Sequence, residues 1–403
     1  MRLLPASLTS GPPRLGWLDA LRGIAALVVA LDHSSNTFMS DFRRELMPQF
    51  NTSRYGIMVF FLVSGYIIPA SLERHGCVRR FWIVRVFRVY PLWAAVVAMI
   101  LVLGLCGVAD IRDSGAQNAG AVAVAHLTLL QELLGTPSVL LVLWTLSYEM
   151  AFYLLVVALF TVRVRQSAAV AVGLAVLAAV SATAGVTLED SALSDVTGTG
   201  PLIAAGSTTM VIAICCASAT AHTLRVFGGV LGGALALVLL LNGTVPVWEG
   251  LVILAVMFLG TAVHRAEHGR SSWWYAAGTA VVVVACAVWS AHRYGDGDLF
   301  TRRGWILAFL LAVLTFGVGL AVRRRQLPRP LTGLGVISYS VYLVHPVLLA
   351  VIAGTVARRW RANLALEAAF FAVLLPLCFL TYRYIEAPCH QRGRELGRRL
   401  QPP

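Results

Sequence analysis

Arg22 and His33 lie eleven residues apart in WLDALRGIAALVVALDHSSNTF, an apolar stretch from Trp17 to Phe38. The stretch is long enough to cross a bilayer as a helix. On a helix that spacing is three turns plus about 20°, so both side chains point the same way, with a rise of about 16 Å between them. Asp19 and Asp32 share the stretch. An ionisable group in hydrocarbon costs at least about 2.5 kcal/mol, so it faces a protein interior or a watery cavity. One helix face therefore carries a fixed cation near one end and a titratable imidazole far along it. That is the layout of a site rather than of an anchor, and imidazole is suited to act as a general base or a nucleophile.

A carboxylate extends the set. WTLSYE, Trp144 to Glu149, opens another apolar run. If consecutive spans alternate in direction, Glu149 and His33 both fall about 7–8 Å below the same membrane surface. At one level the acid can fix the tautomer of the imidazole and raise its basicity. Asp32, adjacent to His33, is the second candidate orienter. The Glu149–His33 pair reads equally well as a structural hydrogen bond between helices. Ser147 stands close by as a supporting polar group. Of the nine histidines, only His33 and His345 lie well inside apolar runs. His345 ends the polar stripe Ser338, Tyr339, Tyr342, His345 in GVISYSVYLVHP. Tyr339 and His345 are supporting candidates, and His345 would serve as well to brace helices. Ser64, in FFLVSGY, is a weaker candidate because no Gly-x-Ser-x-Gly turn surrounds it. The small pair Ser64-Gly65 reads first as a close helix approach.

The segment 74–91, RHGCVRRFWIVRVFRVYP, reads as an inner loop leading into an apolar run at Pro91. Arg85 and Arg88 stand one turn apart with Phe81, Trp82 and Phe87 interleaved. Loop arginines orient helices, but guanidinium groups also suit phosphate recognition. The regular spacing favours a phosphate-bearing cytoplasmic ligand. Glu386, in TYRYIEAP at a helix end, is expected to pair with a loop arginine.

These residues need a membrane bundle to hold them. The chain has 403 residues, 58% hydrophobic and 13% charged, and its mean hydropathy is +0.78. A soluble globular chain carries about twice that charged fraction. Apolar runs recur along the whole length, so the fold class is all-α: a polytopic transmembrane helix bundle of about 10–12 spans. The candidate spans are 17–38, 55–73, 91–108, 144–162, 167–186, 201–221, 226–242, 247–264, 273–291, 304–322, 333–356 and 363–383. With both termini in the cytoplasm, inner segments hold arginine over outer ones by roughly two to one, which predicts an N-in, C-in topology. Every basic residue is arginine, and the net charge is +13. Because the arginines sit in short loops between apolar runs, the charge does not indicate nucleic-acid binding. Arginine without lysine, with abundant alanine and glycine, fits a high-GC bacterial genome. The seven cysteines show neither metal-ligand nor disulfide spacing and read as packing residues. No metal site and no bound cofactor is expected. Gly228, Gly229, Gly232 and Gly233 give two overlapping small-xxx-small pairs, a weak signal for dimerisation.

The blocks LDALRGIAALVVALDH, FFLVSGYII, RVFRVYP, WTLSYEMAFYL, GVISYSVYLVHP and YRYIEAP, in this order, resemble the acyltransferase-3 family of integral membrane O-acyltransferases. They span nearly the whole chain, so residues 1–403 are expected to form one membrane acyltransferase domain with no appended soluble domain. The resemblance implies transfer of an acyl group, often acetyl, from cytoplasmic acyl-CoA to a hydroxyl of a carbohydrate or secondary product. The family's essential arginine and histidine match Arg22 and His33, and its acid in the fourth-span motif matches Glu149. Members usually show about ten spans, and many carry a further arginine where Val84 stands here. The combined expectation is that Arg85 and Arg88, with Arg22, hold donor phosphates at the inner face. His33, oriented by Glu149 or Asp32, then works on an acceptor hydroxyl. Acceptors of this chemistry include a glycan, a glycolipid or a macrolide-like metabolite, in a bacterial cytoplasmic membrane. The rival reading is a proton-coupled transporter of a small polar or glycosylated compound, since buried Arg, His and Glu also line such pathways. Against it, the chain shows no internal repeat and no paired broken helices.

Overall fold

The computed structural model describes residues 15–109, 117–164, 167–184, 191–294, 296, 301–356 and 360–400. Arg2, Arg14, Arg112, Arg165, Arg358 and Arg359, which entered the orientation argument, lie outside them. The described residues form seventeen α-helices and no strand. In chain order these are α1 (Gly16–Phe38), α2 (Ser40–Leu46), α3 (Thr52–His75), α4 (Val78–Leu105), α5 (Ala119–Leu127), α6 (Trp144–Thr161), α7 (Ser167–Thr183), α8 (Ala192–Thr197) and α9 (Thr199–Ala217). They continue with α10 (His222–Leu239), α11 (Val247–Glu267), α12 (Trp273–Tyr294), α13 (Arg302–Ala321), α14 (Arg329–Val336), α15 (Ser338–Val356), α16 (Leu364–Thr381) and α17 (Ala387–Arg399).

Ten of these elements are long and apolar enough to cross a membrane: α3, α4, α6 with its lead-in turn, α9 to α13, α15, and α16 continuing into α17. The other two expected spans are α1 and α7. The second is only 17 residues long, and the first is diluted by Asp19, Arg22 and Asp32. Segment 74–91 differs from its reading as a loop. After Gly76, in the left-handed backbone region at φ 63°, α4 starts at Val78 and runs unbroken through Arg85, Arg88 and Pro91. Burial of Phe81, Trp82 and Val89 draws this turn-rich-looking stretch into the bundle as helix.

The core sits around α11, which packs between α3 and α7 and is buried along nearly its whole length. Small residues bring α3 and α11 together. A Cβ built on Gly65 would lie 1.8 Å from the Met257 carbonyl, and Thr261 Oγ1 donates to the Gly65 carbonyl at 2.9 Å. The four glycines at 228–233 are likewise spent within the chain. Gly228 abuts the α9 backbone at Ala213 and Ala217, while Gly229 and Gly233 meet Thr161 and Ala158 of α6. The small-residue stripe therefore wedges α10 between α6 and α9, and is not a free dimer face.

The bundle has two distinct ends. At one, the C-terminal turn of α1 meets the start of α3 through Asp32 and Thr52, and Arg54 pairs with Glu249 at the start of α11. At the other, the start of α1 lies against α14, and Glu73 at the end of α3 pairs with Arg265 in the last turn of α11 and with Arg270 beyond it. Helix α17 lies along the first turns of α4, with Gly393 against Phe87 and Gly397 against Arg80. Its other faces expose Arg392, Arg394, Arg398 and Arg399, the pattern of an interfacial helix.

Candidate active site

The site residues occupy two levels along α1. The upper level, at the end where α1 finishes, holds the two intramembrane histidines together. His33 Nδ1 lies 2.9 Å from His345 Nε2, and the rings stack at 27°. His345 Nδ1 lies 2.8 Å from the Val341 carbonyl, one turn back on α15. A carbonyl only accepts, so His345 Nδ1 carries the hydrogen. His345 is fully buried and no acid among the described residues pairs with it, so a second proton on Nε2 would leave an unpaired buried charge. Its Nε2 is therefore an acceptor and His33 Nδ1 the donor, an assignment that follows from the hydrogen-bond network. The consequence is a His33 whose Nε2 lone pair is free, on a side chain 16% exposed.

Asp32 faces that lone pair. Its Oδ2 is 4.0 Å from His33 Nε2, too far for a hydrogen bond but close enough to favour an imidazolium once a proton arrives. The carboxylate is itself fixed: Thr52 Oγ1 donates to Oδ1 at 2.6 Å, and Arg43 Nε approaches Oδ1 at 3.5 Å. Arg43 also donates to the Asp32 carbonyl at 3.1 Å, and Ser35 Oγ to the same oxygen at 2.9 Å. Arg43 and Ser35 thus converge on one carbonyl near the end of α1, which ties the segment after the helix back to Asp32. Ser34 donates to Glu367 of α16.

The lower level is a cavity of about 80 Å³ between α1, α3, α4, α6 and α15. Arg22, Arg88, Glu149, Ser64, Tyr339 and Tyr342 line it. Glu149 accepts a hydrogen bond from Tyr153, one turn on along α6. Tyr339 OH donates to the Val89 carbonyl at 2.8 Å, and Tyr342 OH meets Thr145 Oγ1 at 2.8 Å. Arg22 and Arg88 make no ion pair or hydrogen bond to any described residue. Two guanidinium groups thus face a small cavity whose lining holds one carboxylate, Glu149. That is an electropositive pocket suited to an anion or to a polarised carbonyl.

The expected pairing of Glu149 with His33 is replaced by His345. Glu149 sits with Arg22 instead. The helix starting at Trp144 does not begin at the end of the bundle. The preceding stretch packs above it: Leu129, Leu130, Leu133, Leu134, Val142 and Leu143 are all no more than 2% exposed. This buried irregular cap pushes Glu149 deeper than a count from Trp144 implies. Ser147 is fully buried and accepts from the Glu132 N–H, so it holds the cap and faces neither level. Arg85 and Arg88 also part company. Arg85 is 6% exposed and lies 5.3 Å from the ring centroids of both Phe81 and Tyr153, a cation held between two aromatic faces. Only Arg88 opens into the cavity. Glu386 accepts from Ser340 Oγ at 3.1 Å, within the bundle.

Tyr342 joins the two levels. It lines the cavity, its ring centroid is 6.2 Å from that of His345, and Phe60 packs against it at 5.5 Å. Sequence reasoning missed Tyr153, Thr52 and Arg43. The i, i+4 spacing of Glu149 and Tyr153 was the available signal for the first. Arg43 reads in the sequence only as a loop charge.

A family model described as an acyltransferase domain matches residues 15–383. No curated protein and no solved structure matches the chain.

Proposed function

The chain belongs to the acyltransferase-3 family, and from that premise we propose a membrane O-acyltransferase that moves a short acyl group, such as acetyl, from acyl-CoA. The acceptor is a hydroxyl of a carbohydrate, a glycolipid or a secondary metabolite such as a macrolide. The setting is a bacterial cytoplasmic membrane, with the arginine-rich end and both termini towards the cytoplasm.

The observation that carries this reading is the free Nε2 of His33, held in one tautomer by His345. In the proposed reaction an acceptor hydroxyl approaches Nε2 and gives up its proton there. The alcohol oxygen forms its bond to the thioester carbon, and the carbonyl electron pair moves onto oxygen. The tetrahedral species then collapses, the carbon–sulfur bond breaks, and the leaving thiolate takes the proton from Nε2. Asp32 steadies the intervening imidazolium from 4.0 Å. Arg22 and Arg88 are suited to hold polar oxygens of the donor's arm in the lower cavity, about 16 Å along α1. For the thioester to reach His33, the Tyr342 and Phe60 rings must part.

The test is a comparison of glycans, lipids and secreted metabolites from cells carrying the wild type or His33→Ala, read by mass spectrometry. An acyl mass increment that requires wild-type His33 is the expected result. An equally abundant His33→Ala protein that leaves the increment intact would sink the mechanism. Compounds that shift between cells and medium without a mass change would favour the transporter.

A further inference from the structure

The lower cavity, at about 80 Å³, has no room for a nucleotide, and Arg85 is sealed between two aromatic rings. The donor's phosphates therefore need another seat. A cleft of about 1280 Å³ opens at the arginine-rich end of the bundle. Three of its wall helices, α3, α4 and α6, also line the small cavity, and α9, α10, α11 and α17 contribute to the cleft as well. On α3 it uses Pro69 and Leu72 where the cavity uses Ser64, and on α6 Val156 where the cavity uses Glu149. On α4 it uses Arg79 where the cavity uses Arg88. These offsets of five to nine residues are about 7–14 Å of helix.

The lining is amphiphilic. Arg79, Arg163, Arg225, Arg265, Arg270 and Arg399 stand round an apolar floor that includes Leu72 and Phe258. Glu73 is the single carboxylate among the lining residues, and it is spent on Arg265 and Arg270. Arg163 and Arg225 make no ion pair or hydrogen bond to a described residue. Arg163 also takes the left-handed region at φ 59°, which an arginine enters only at a cost. Clustered guanidinium groups without counter-charges match a ligand bearing several phosphates.

We infer that this cleft, centred on Arg163 and Arg225, binds the phosphorylated nucleotide end of the acyl donor, leaving its arm to run along α3, α4 and α6 to the small cavity. The inference rests on the acyl-CoA reading above. It departs from the expectation that Arg85 and Arg88 grip those phosphates. A phospholipid headgroup shares the phosphate chemistry and is the competing occupant.

The experiment uses the full chain purified in detergent, with adenosine 3′,5′-bisphosphate as the probe and titration calorimetry as the readout. Arg163→Gln/Arg225→Gln, both exposed positions, should keep the wild-type thermal unfolding midpoint and bind the probe about tenfold or more weakly. Wild-type affinity in the double variant overturns the inference while leaving the acyl-CoA reading intact. Unchanged probe affinity together with loss of co-purifying anionic phospholipid, seen by native mass spectrometry, overturns it in favour of a lipid site. No binding of the probe to the wild type overturns both the inference and the acyl-CoA reading.

Discussion

His345 lies against His33 Nδ1, and the proposed reaction gives that contact a positioning role that kinetics can test. If it fixes the His33 tautomer, His345→Ala lets the His33 ring donate from either nitrogen. The expected outcome is a kcat lower by about 10- to 100-fold with KM for the donor little changed. That loss stays within the roughly 10²–10⁴-fold that a general base supplies. His345→Gln places an amide oxygen where Nε2 accepts, and should recover part of the rate. Steady-state kinetics on the two variants at matched abundance checks this. Equal loss in both, or a rise in KM alone, would mean that His345 merely fills space. Arg22 and His33 were legible in the sequence because their relation is local, fixed by helical periodicity over eleven residues. The His33–His345 contact was not, since 312 residues separate the pair and no local pattern links them. Glu149 was found as a buried acid but assigned to the wrong partner. Its depth depends on the irregular segment stacked above α6, and hydropathy does not read such a cap.

The α3–α11 crossing sets the geometry of the site, because α3 supplies Phe60 and Ser64 to the lower cavity. Gly65→Ala would drive a methyl to 1.8 Å from the Met257 carbonyl, a backbone atom that cannot swing aside. Overpacking of this kind typically costs about 1–3 kcal/mol. Gly317→Ala on α13 is the matched control, since a Cβ there meets nothing within 4 Å and alanine favours helix by about 1 kcal/mol. Thermal unfolding in detergent should show a clearly lowered midpoint for the first and an unchanged or raised midpoint for the second. Similar midpoints would mean that the crossing tolerates separation. The Ser64-Gly65 pair announced this contact in the sequence, and the glycines at 228–233 announced a close approach of α10. Small residues mark a close approach without naming the partner, so the second group read as a face for another copy and proved to be internal.

At the scale of the whole molecule, the order of the long helices was legible because each span must be apolar over its own length. The interior assignment was less so: α4 starts earlier than its apolar core suggests, and α1 barely registers as a span. That last property has a consequence for how the protein is made. Helix α1 leaves the ribosome before the helices it packs against, yet it is not among the helices apolar enough to cross a membrane on that measure, because it carries Asp19, Arg22 and Asp32. The groups that shelter those charges arrive afterwards: Thr52 with α3, and the α14 and α15 walls some three hundred residues later. The helix that bears His33 is thus a poor entrant into lipid, and its partners must bring it in. In a cell-free translation with membranes and glycosylation tags, a nascent chain ending before Thr52 should integrate inefficiently. One that extends beyond α3 should integrate better. Full integration of the short chain would mean that α1 enters on its own, with its charges left to reach the interface until the rest of the bundle closes over them.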